Sequence, residues 1–312
     1  MVRQKLGLVW LLLIACITTQ PLTAADPETP SASLDPVPIS STVVRDADPA
    51  LWVVRDDDTT IYLFGTIHIL KPGLGWFDEA VKEAFDKSDT LVLELVEPPA
   101  DEAQAMFAKF AIEKSGKPLR SRLSGADLEA YDSAMAKIGM PKNGFDPFKP
   151  WAAGVTLQMM GLANSGYDPN SGVETQLTAA AKASGKPIIG VETMEGQLAI
   201  FDNLPEANQL RFLNESSAMA DQLVGQMDGM VELWAKPDPD GLARLMNDGL
   251  SDPVILAELL TLRNARWAYW IKDRMQKPGT MFMAVGAGHL AGGASVQHLL
   301  GAYGLSVERI QY

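Results

Sequence analysis

Ile61-Tyr62-Leu63-Phe64-Gly65-Thr66-Ile67-His68 is a strand-like apolar run that ends in Gly-x-x-His, and the chain contains a second one. That second run is Met281-Phe282-Met283-Ala284-Val285-Gly286-Ala287-Gly288-His289, near the other end of the chain. The chain has 3 histidines, and two of them occupy this same setting. Strand ends are where α/β sheets place their chemistry, because the loops there open into a crevice. Imidazole is both the commonest metal ligand and the usual acid or base near neutral pH.

Each run sits in a similar neighbourhood. Leu51-Trp52-Val53-Val54 and Ile61–Phe64 read as a β-hairpin around the polar turn Asp56-Asp57-Asp58. After His68, Phe77, Val81, Ala84 and Phe85 recur at helical spacing. Thr90-Leu91-Val92-Leu93-Glu94-Leu95-Val96 then reads as a strand buried on both faces. After His289, a helix with Val296, Leu299 and Leu300 leads to a last strand near 305–310. Right-handed crossovers predict that both units join one sheet, with their Gly-x-x-His turns on the same edge. Between them, helices are expected at 100–114, 125–138, 148–163, 174–184, 194–202, 206–235, 239–248 and 253–275. One strand, Lys186-Pro187-Ile188-Ile189-Gly190-Val191-Glu192, interrupts them. The expected fold class is α/β: a central mixed sheet built from two βα Gly-x-x-His units, with a large, mainly helical insertion at about 100–278.

The N-terminus reads as a targeting segment. Arg3 and Lys5 precede the apolar stretch Leu6–Thr19, and small residues near Ala24-Ala25 suit cleavage, so 1–25 is expected to be a signal peptide. A competing reading takes Leu13-Ile14-Ala15-Cys16 as a lipobox and Cys16 as a lipidated anchor. Cys16 is the only cysteine, so no disulfide forms within the chain. Residues 26–47 are rich in Pro, Ser, Thr and Asp and read as a flexible leader; 48–312 form the domain. The expected location is periplasmic or secreted. No later segment reaches the ~20 apolar residues of a membrane span. A net charge of −13, with no basic run to offset it, argues against nucleic acid as a partner.

Glu94 is costly to bury among apolar neighbours unless it has a partner. An edge strand with Glu94 facing water is the ordinary alternative. His68, Glu94 and His289 form a two-His, one-carboxylate set, the count of a catalytic metal site with an open position. Such a set suits Zn, Mn, Fe or Co. Two Gly-Val-Glu-Thr stretches add Glu174 and Glu192 as candidate base or further ligand. Glu174 also suits a helix N-terminus, and Glu192 a strand end. Arg263-Asn264 could steady an oxyanion, or Arg263 could simply face solvent on an amphipathic helix. His298, between Val296 and Leu299, reads as structural or exposed.

Phe64–His68, Leu93-Glu94-Leu95, Pro187–Thr193, Arg263-Asn264 and Val285–Leu290 together resemble the TraB/GumN family, which is related to the Tiki proteases that cleave Wnt. The resemblance spans roughly residue 48 to the C-terminus. It implies an α/β fold shared with erythromycin-esterase-like and ChaN-like proteins. It also implies a manganese- or cobalt-dependent protease whose essential residues correspond to His68, Glu94 and His289. Bacterial relatives are linked to shutting down peptide pheromone and to polysaccharide gene clusters.

The expected function is therefore an exported, divalent-metal-dependent hydrolase (Mn, Co or Zn) acting on a peptide or protein. Two alternatives come from other classes. One is a non-catalytic periplasmic protein that binds peptide, haem or iron. The other is an accessory factor in envelope polysaccharide biosynthesis.

Overall fold

The computed structural model describes residues 44–247 and 252–312. The expected signal peptide, Cys16 and the expected leader up to residue 43 lie outside the described residues. Eight strands are present among the described residues: β1 (Arg45–Asp46), β2 (Leu51–Arg55), β3 (Thr59–Thr66), β4 (Leu74–Gly75), β5 (Thr90–Leu93), β6 (Ile188–Gly190), β7 (Gly279–Gly286) and β8 (Val307–Ile310). The helices are α1 (Glu79–Lys87), α2 (Ala100–Ala111), α3 (Gly125–Lys137), α4 (Pro150–Ala163), α5 (Val173–Ser184), α6 (Met194–Asp202), α7 (Glu206–Ala218), α8 (Leu223–Ala235), α9 (Pro239–Asn247), α10 (Pro253–Leu256), α11 (Leu262–Arg274) and α12 (Val296–Gly301).

Six strands form a mixed sheet in the order β6-β5-β7-β3-β2-β8, while β1 and β4 pair separately. β3, β7, β5 and β6 run parallel. β2 is antiparallel to both β3 and β8, as the Asp-rich hairpin turn requires. The fold is thus the mixed α/β sheet expected, and both Gly-x-x-His strands lie at its centre, side by side.

Alternation along the strands splits the core into two layers. Phe64, Leu91, Leu93, Phe282 and Ala284 face the layer that holds Trp76, Phe85, Leu177 and Trp234. Ile61, Leu63, Val92, Met283 and Val285 face the layer of Trp267, Ile271, Val296 and Leu300. Helices α1, α5, α8 and α9 therefore cover one face, and α11 and α12 the other. The remaining helices bury two clusters of their own, one around Trp151, Phe201 and Phe212 and one around Tyr131, Met135 and Leu157.

Three elements differ from the sequence expectation. The strand at 90–96 stops at Leu93, so Glu94 lies at its C-terminal end rather than inside it. The stretch 206–235 is two helices, not one. The stretch 253–275 is broken by a π-helical turn at Ala257–Thr261.

Candidate active site

β3 and β7 pair with Gly65 opposite Val285 and Thr66 opposite Gly286, so both histidine turns leave the sheet at nearly the same level. The two turns touch closely. A Cβ added to Gly65 would stand 3.0 Å from the Ala287 Cα. His68 follows the first turn, and His289 sits in the short 3-10 turn Ala287–Leu290. Both are buried, at 7% and 1% exposure. Glu94 follows β5 directly, and the Glu192 N–H donates to its carbonyl at 2.7 Å. The parallel strands thus deliver two histidines and two glutamates to one end of the sheet.

Arg263 organises the side of this end that faces α11. It is fully buried. Its Nη2 donates to Glu94 Oε2 at 2.6 Å and to Glu192 Oε2 at 2.7 Å. Its Nε donates to Glu192 Oε1 at 2.9 Å. Its Nη1 lies 3.0 Å from His289 Nε2 and donates to the Leu259 carbonyl at 3.2 Å. Leu259 belongs to the π-helical turn, which sets a carbonyl against the guanidinium one turn before Arg263. The indole of Trp267 lies under Arg263 at 4.7 Å and donates to Glu192 at 3.1 Å. Glu94 is completed by the Gly286 N–H at 2.7 Å and the Gln197 amide at 3.2 Å.

The hydrogen bonds fix the His289 tautomer. Asn264 donates through Nδ2 to the Ala294 carbonyl at 2.7 Å, so its Oδ1 faces His289 Nδ1 at 2.5 Å. An amide oxygen only accepts, so Nδ1 carries the proton and Nε2 accepts from Arg263. Burial, the charge of Arg263 and the charge of His68 together push the His289 pKa well below the ordinary histidine value. The imidazole is therefore neutral.

His68 belongs to a second group. Its Nδ1 lies 2.5 Å from Glu174 Oε1. Thr66 Oγ1 donates to the same oxygen. Burial works against a charged Glu174, but the charge of His68 and hydrogen bonds from His68 and Thr66 outweigh it and hold the carboxyl below its ordinary range. Gly172 makes this pairing possible. A Cβ there would stand 1.9 Å from the His68 carbonyl oxygen, so only glycine lets the start of α5 approach. The Val173 N–H seals the contact by donating to the Ile67 carbonyl at 3.1 Å.

His68, Glu94, Glu174 and Gln197 line a cavity of about 580 Å³. Its other walls are the Leu93–Pro99 segment, α5 and Ile188. That volume is in the range of small-molecule and peptide sites. Arg263, Asn264 and His289 lie behind Glu94 and do not line the cavity. His298 is exposed on α12.

The donor set suits a divalent cation in its chemistry. Both imidazoles have Nδ1 tied to a side-chain oxygen, of Glu174 or Asn264, which is the outer-shell arrangement that orients imidazole ligands. Glu94 supplies a buried carboxylate, its Oε1 3.8 Å from His289 Nε2. Among the described residues, however, no three His, Cys, Asp or Glu side chains converge in coordinating geometry. The Arg263 guanidinium already gives Glu94 and His289 a positive neighbour.

All seven residues singled out in the sequence lie at this end of the sheet, in two groups. One is Glu94, Glu192, Arg263, Asn264 and His289; the other is His68 and Glu174. Gln197, Thr66 and Trp267 were not singled out. Thr66 stood within the Gly-x-x-His motif, and Trp267 lies one turn after Arg263. Nothing in the sequence marks Gln197.

A parallel-centred sheet with paired Gly-x-x-His turns and a buried Glu–Arg–Glu cluster defines the class. The chain belongs to the TraB/PrgY/gumN family, whose sequence profile matches residues 50–309. It is similar to YbaP, an uncharacterized protein of Escherichia coli (strain K12), at 24% identity over 256 residues, 81% of this chain and 92% of YbaP. It is also similar to an uncharacterized protein of Treponema pallidum (strain Nichols), at 22% identity over 264 residues and 78% of each chain. No solved structure matches the chain.

Proposed function

We propose that this chain is an exported hydrolase that cleaves a peptide or protein substrate in the cavity beside His68. The single observation that carries this reading is the His68–Glu174 pair, a buried carboxylate-held imidazole lining a cavity of substrate size. Glu174 fixes the orientation of the imidazole and stabilises its protonated form. His68 thereby takes a proton from water at Nε2 and returns it to the leaving group. Glu94 is the second carboxylate on the cavity wall, held in place by Arg263, Gln197 and the Gly286 N–H. Arg263, Asn264 and Glu192 act behind it as positioning residues.

If the site instead holds a divalent cation such as Mn, Co or Zn, His68, Glu94 and His289 are the residues that would hold it; His68 Nε2 would then be a ligand and not the base, with Glu174 still orienting its ring. When bound, such an ion polarises a carbonyl and makes water more acidic. Arg263 would have to release Glu94 Oε2 and His289 Nε2 for those two residues to serve as ligands. Export rests on the N-terminal sequence pattern alone.

The test is cleavage of a peptide library by the purified mature protein, read by mass spectrometry, with and without chelator and with Mn²⁺, Co²⁺ or Zn²⁺ restored. Cleavage that His68→Ala abolishes supports the hydrolase. Loss on chelation with return on metal addition adds the ion. Peptide binding without cleavage under every condition favours the binding-protein alternative.

A further inference from the structure

The cavity is electrically lopsided, and it runs along one face of α5. Glu174, Thr175, Thr178, Ala179 and Lys182 all line it, positions that share a stripe of the helix. Glu174 lies in the first turn of α5 and Lys182 in the last. Eight positions at 1.5 Å per residue separate them by about 12 Å. Among the described residues, Lys182 is the only Lys or Arg lining the cavity. Among the described residues its ammonium has no acidic partner. The other charged groups on the walls are Glu94, Glu97, Glu174 and His68. A carboxylate entering the cavity therefore meets Lys182 as the one cation on the described walls away from the His68–Glu174 and Arg263–Glu94 pairs.

The wall beside Lys182 suits an extended chain. β6 is an edge strand of the sheet, and its Ile188 lines the cavity. The Pro187 carbonyl accepts from Leu91, and the Val191 N–H donates to Leu93. Backbone alternation then turns the N–H and C=O groups of Ile188 and Gly190 away from β5. Among the described strands, none pairs with that edge. Edges of this kind take up extended peptides through main-chain hydrogen bonds.

We propose that the cavity takes the C-terminal end of a peptide, with its terminal carboxylate on Lys182 and the bond to be cut at His68 and Glu174. This deepens, and rests on, the hydrolase reading. An extended chain advances about 3.3 Å per residue, so about 12 Å holds three or four residues. The product released is a C-terminal tri- or tetrapeptide. The oxygen of water bonds to the scissile carbonyl carbon and the C–N bond breaks. One water proton passes to the leaving amine, and the other leaves as the new acid ionises.

The experiment uses two N-acetylated, apolar octapeptides, identical except that one ends in a free carboxylate and the other in an amide. Wild-type mature protein, Lys182→Met and Lys182→Glu are compared. Cleavage is followed by mass spectrometry, and binding separately by anisotropy of labelled copies of both peptides. Wild type should favour the acid roughly three- to fivefold, the range of a partly exposed ion pair, with the difference in KM. It should cut three or four residues from the end. Lys182→Met should lose the preference, and Lys182→Glu should reverse it. Cleavage with no preference between acid and amide overturns the Lys182 assignment and leaves the hydrolase standing. Preferential binding of the acid that Lys182→Met removes, with no cleavage, overturns the hydrolase and retains the docking. Neither binding nor cleavage overturns both.

Discussion

Replacing Arg263 by methionine keeps an unbranched apolar stem and removes the charge that three polar partners share. Glu94 and Glu192 then lose the one cation that the described residues give them in a buried setting, and His289 Nε2 loses its donor. Removing one partner of a buried ion pair costs about 3–5 kcal/mol, because the remaining charge stays desolvated. In a domain of this size each kcal/mol moves the melting midpoint by about 2–4 °C. Arg263→Met should therefore melt roughly 6–20 °C below wild type. Urea unfolding followed by far-ultraviolet circular dichroism measures the loss directly. Adding Glu192→Gln to Arg263→Met removes one of the stranded carboxylates and should recover about 1–3 kcal/mol. The same Glu192→Gln change alone should destabilise wild type, since it breaks the bidentate contact with Arg263 and weakens that of Trp267. A loss under about 1 kcal/mol for Arg263→Met, or additive effects in the double variant, would refute the shared-cation account.

Three further outcomes are expected. Gly172→Ala should unseat α5 from the His68 carbonyl, lower stability by at least about 2 kcal/mol as other buried overpacking does, and shift the His68 ring signals in an NMR spectrum; unchanged signals would contradict the contact. Glu113, through the Ser115 N–H and Arg122, has its carboxyl lowered to about 2 from 4.5. A depressed carboxyl stabilises the fold above its unfolded value and loses that contribution as pH falls toward the folded one. The stability advantage of wild type over Glu113→Gln should therefore be full above about pH 5 and shrink steadily from there toward pH 2, as urea titrations at several pH values would show. Gly190→Ala should disturb the end of β6, because a Cβ there would meet the Val96 nitrogen and the Glu192 oxygen at 3.0 Å; an unchanged melting midpoint would contradict that close packing.

Much of the sheet was legible because its strands carry unbroken apolar runs with turn residues at their ends. The β2–β3 hairpin and the Gly-x-x-His strands β3 and β7 follow directly from that pattern. What the pattern missed lies where tertiary contacts override it. Glu94 reads as part of a strand, but its carboxylate is drawn to the Gly286 N–H and Arg263, and the regular strand ends at Leu93. Residues 219–222 contain no Gly or Pro, so nothing local announces the break between α7 and α8. The break lets Phe212 and Leu213 pack among the helices while Leu223 and Met227 reach the sheet. The π-helical turn before Arg263 leaves the apolar spacing intact and is likewise invisible. In the site, residue types at strand ends pointed to His68, Glu192 and His289, and a lone carboxylate inside an apolar run pointed to Glu94. Glu174 stood out as the acid of a repeated tetrapeptide. Its partnership with His68 depends on Gly172 meeting a backbone carbonyl over a hundred positions away, which no local pattern encodes.

The most direct test of the proposed hydrolase is a kinetic cycle on the His68–Glu174 pair, using whichever library peptide the mature protein cleaves. His68→Ala and Glu174→Gln should each lower kcat by about 10²–10⁴-fold, the contribution of a positioned acid or base. The two residues act as one unit, so the double variant should be no slower than the worse single variant. Circular dichroism must show the three variants folded. Undiminished turnover in either single variant, or a double variant whose loss is the product of the two, would contradict the account.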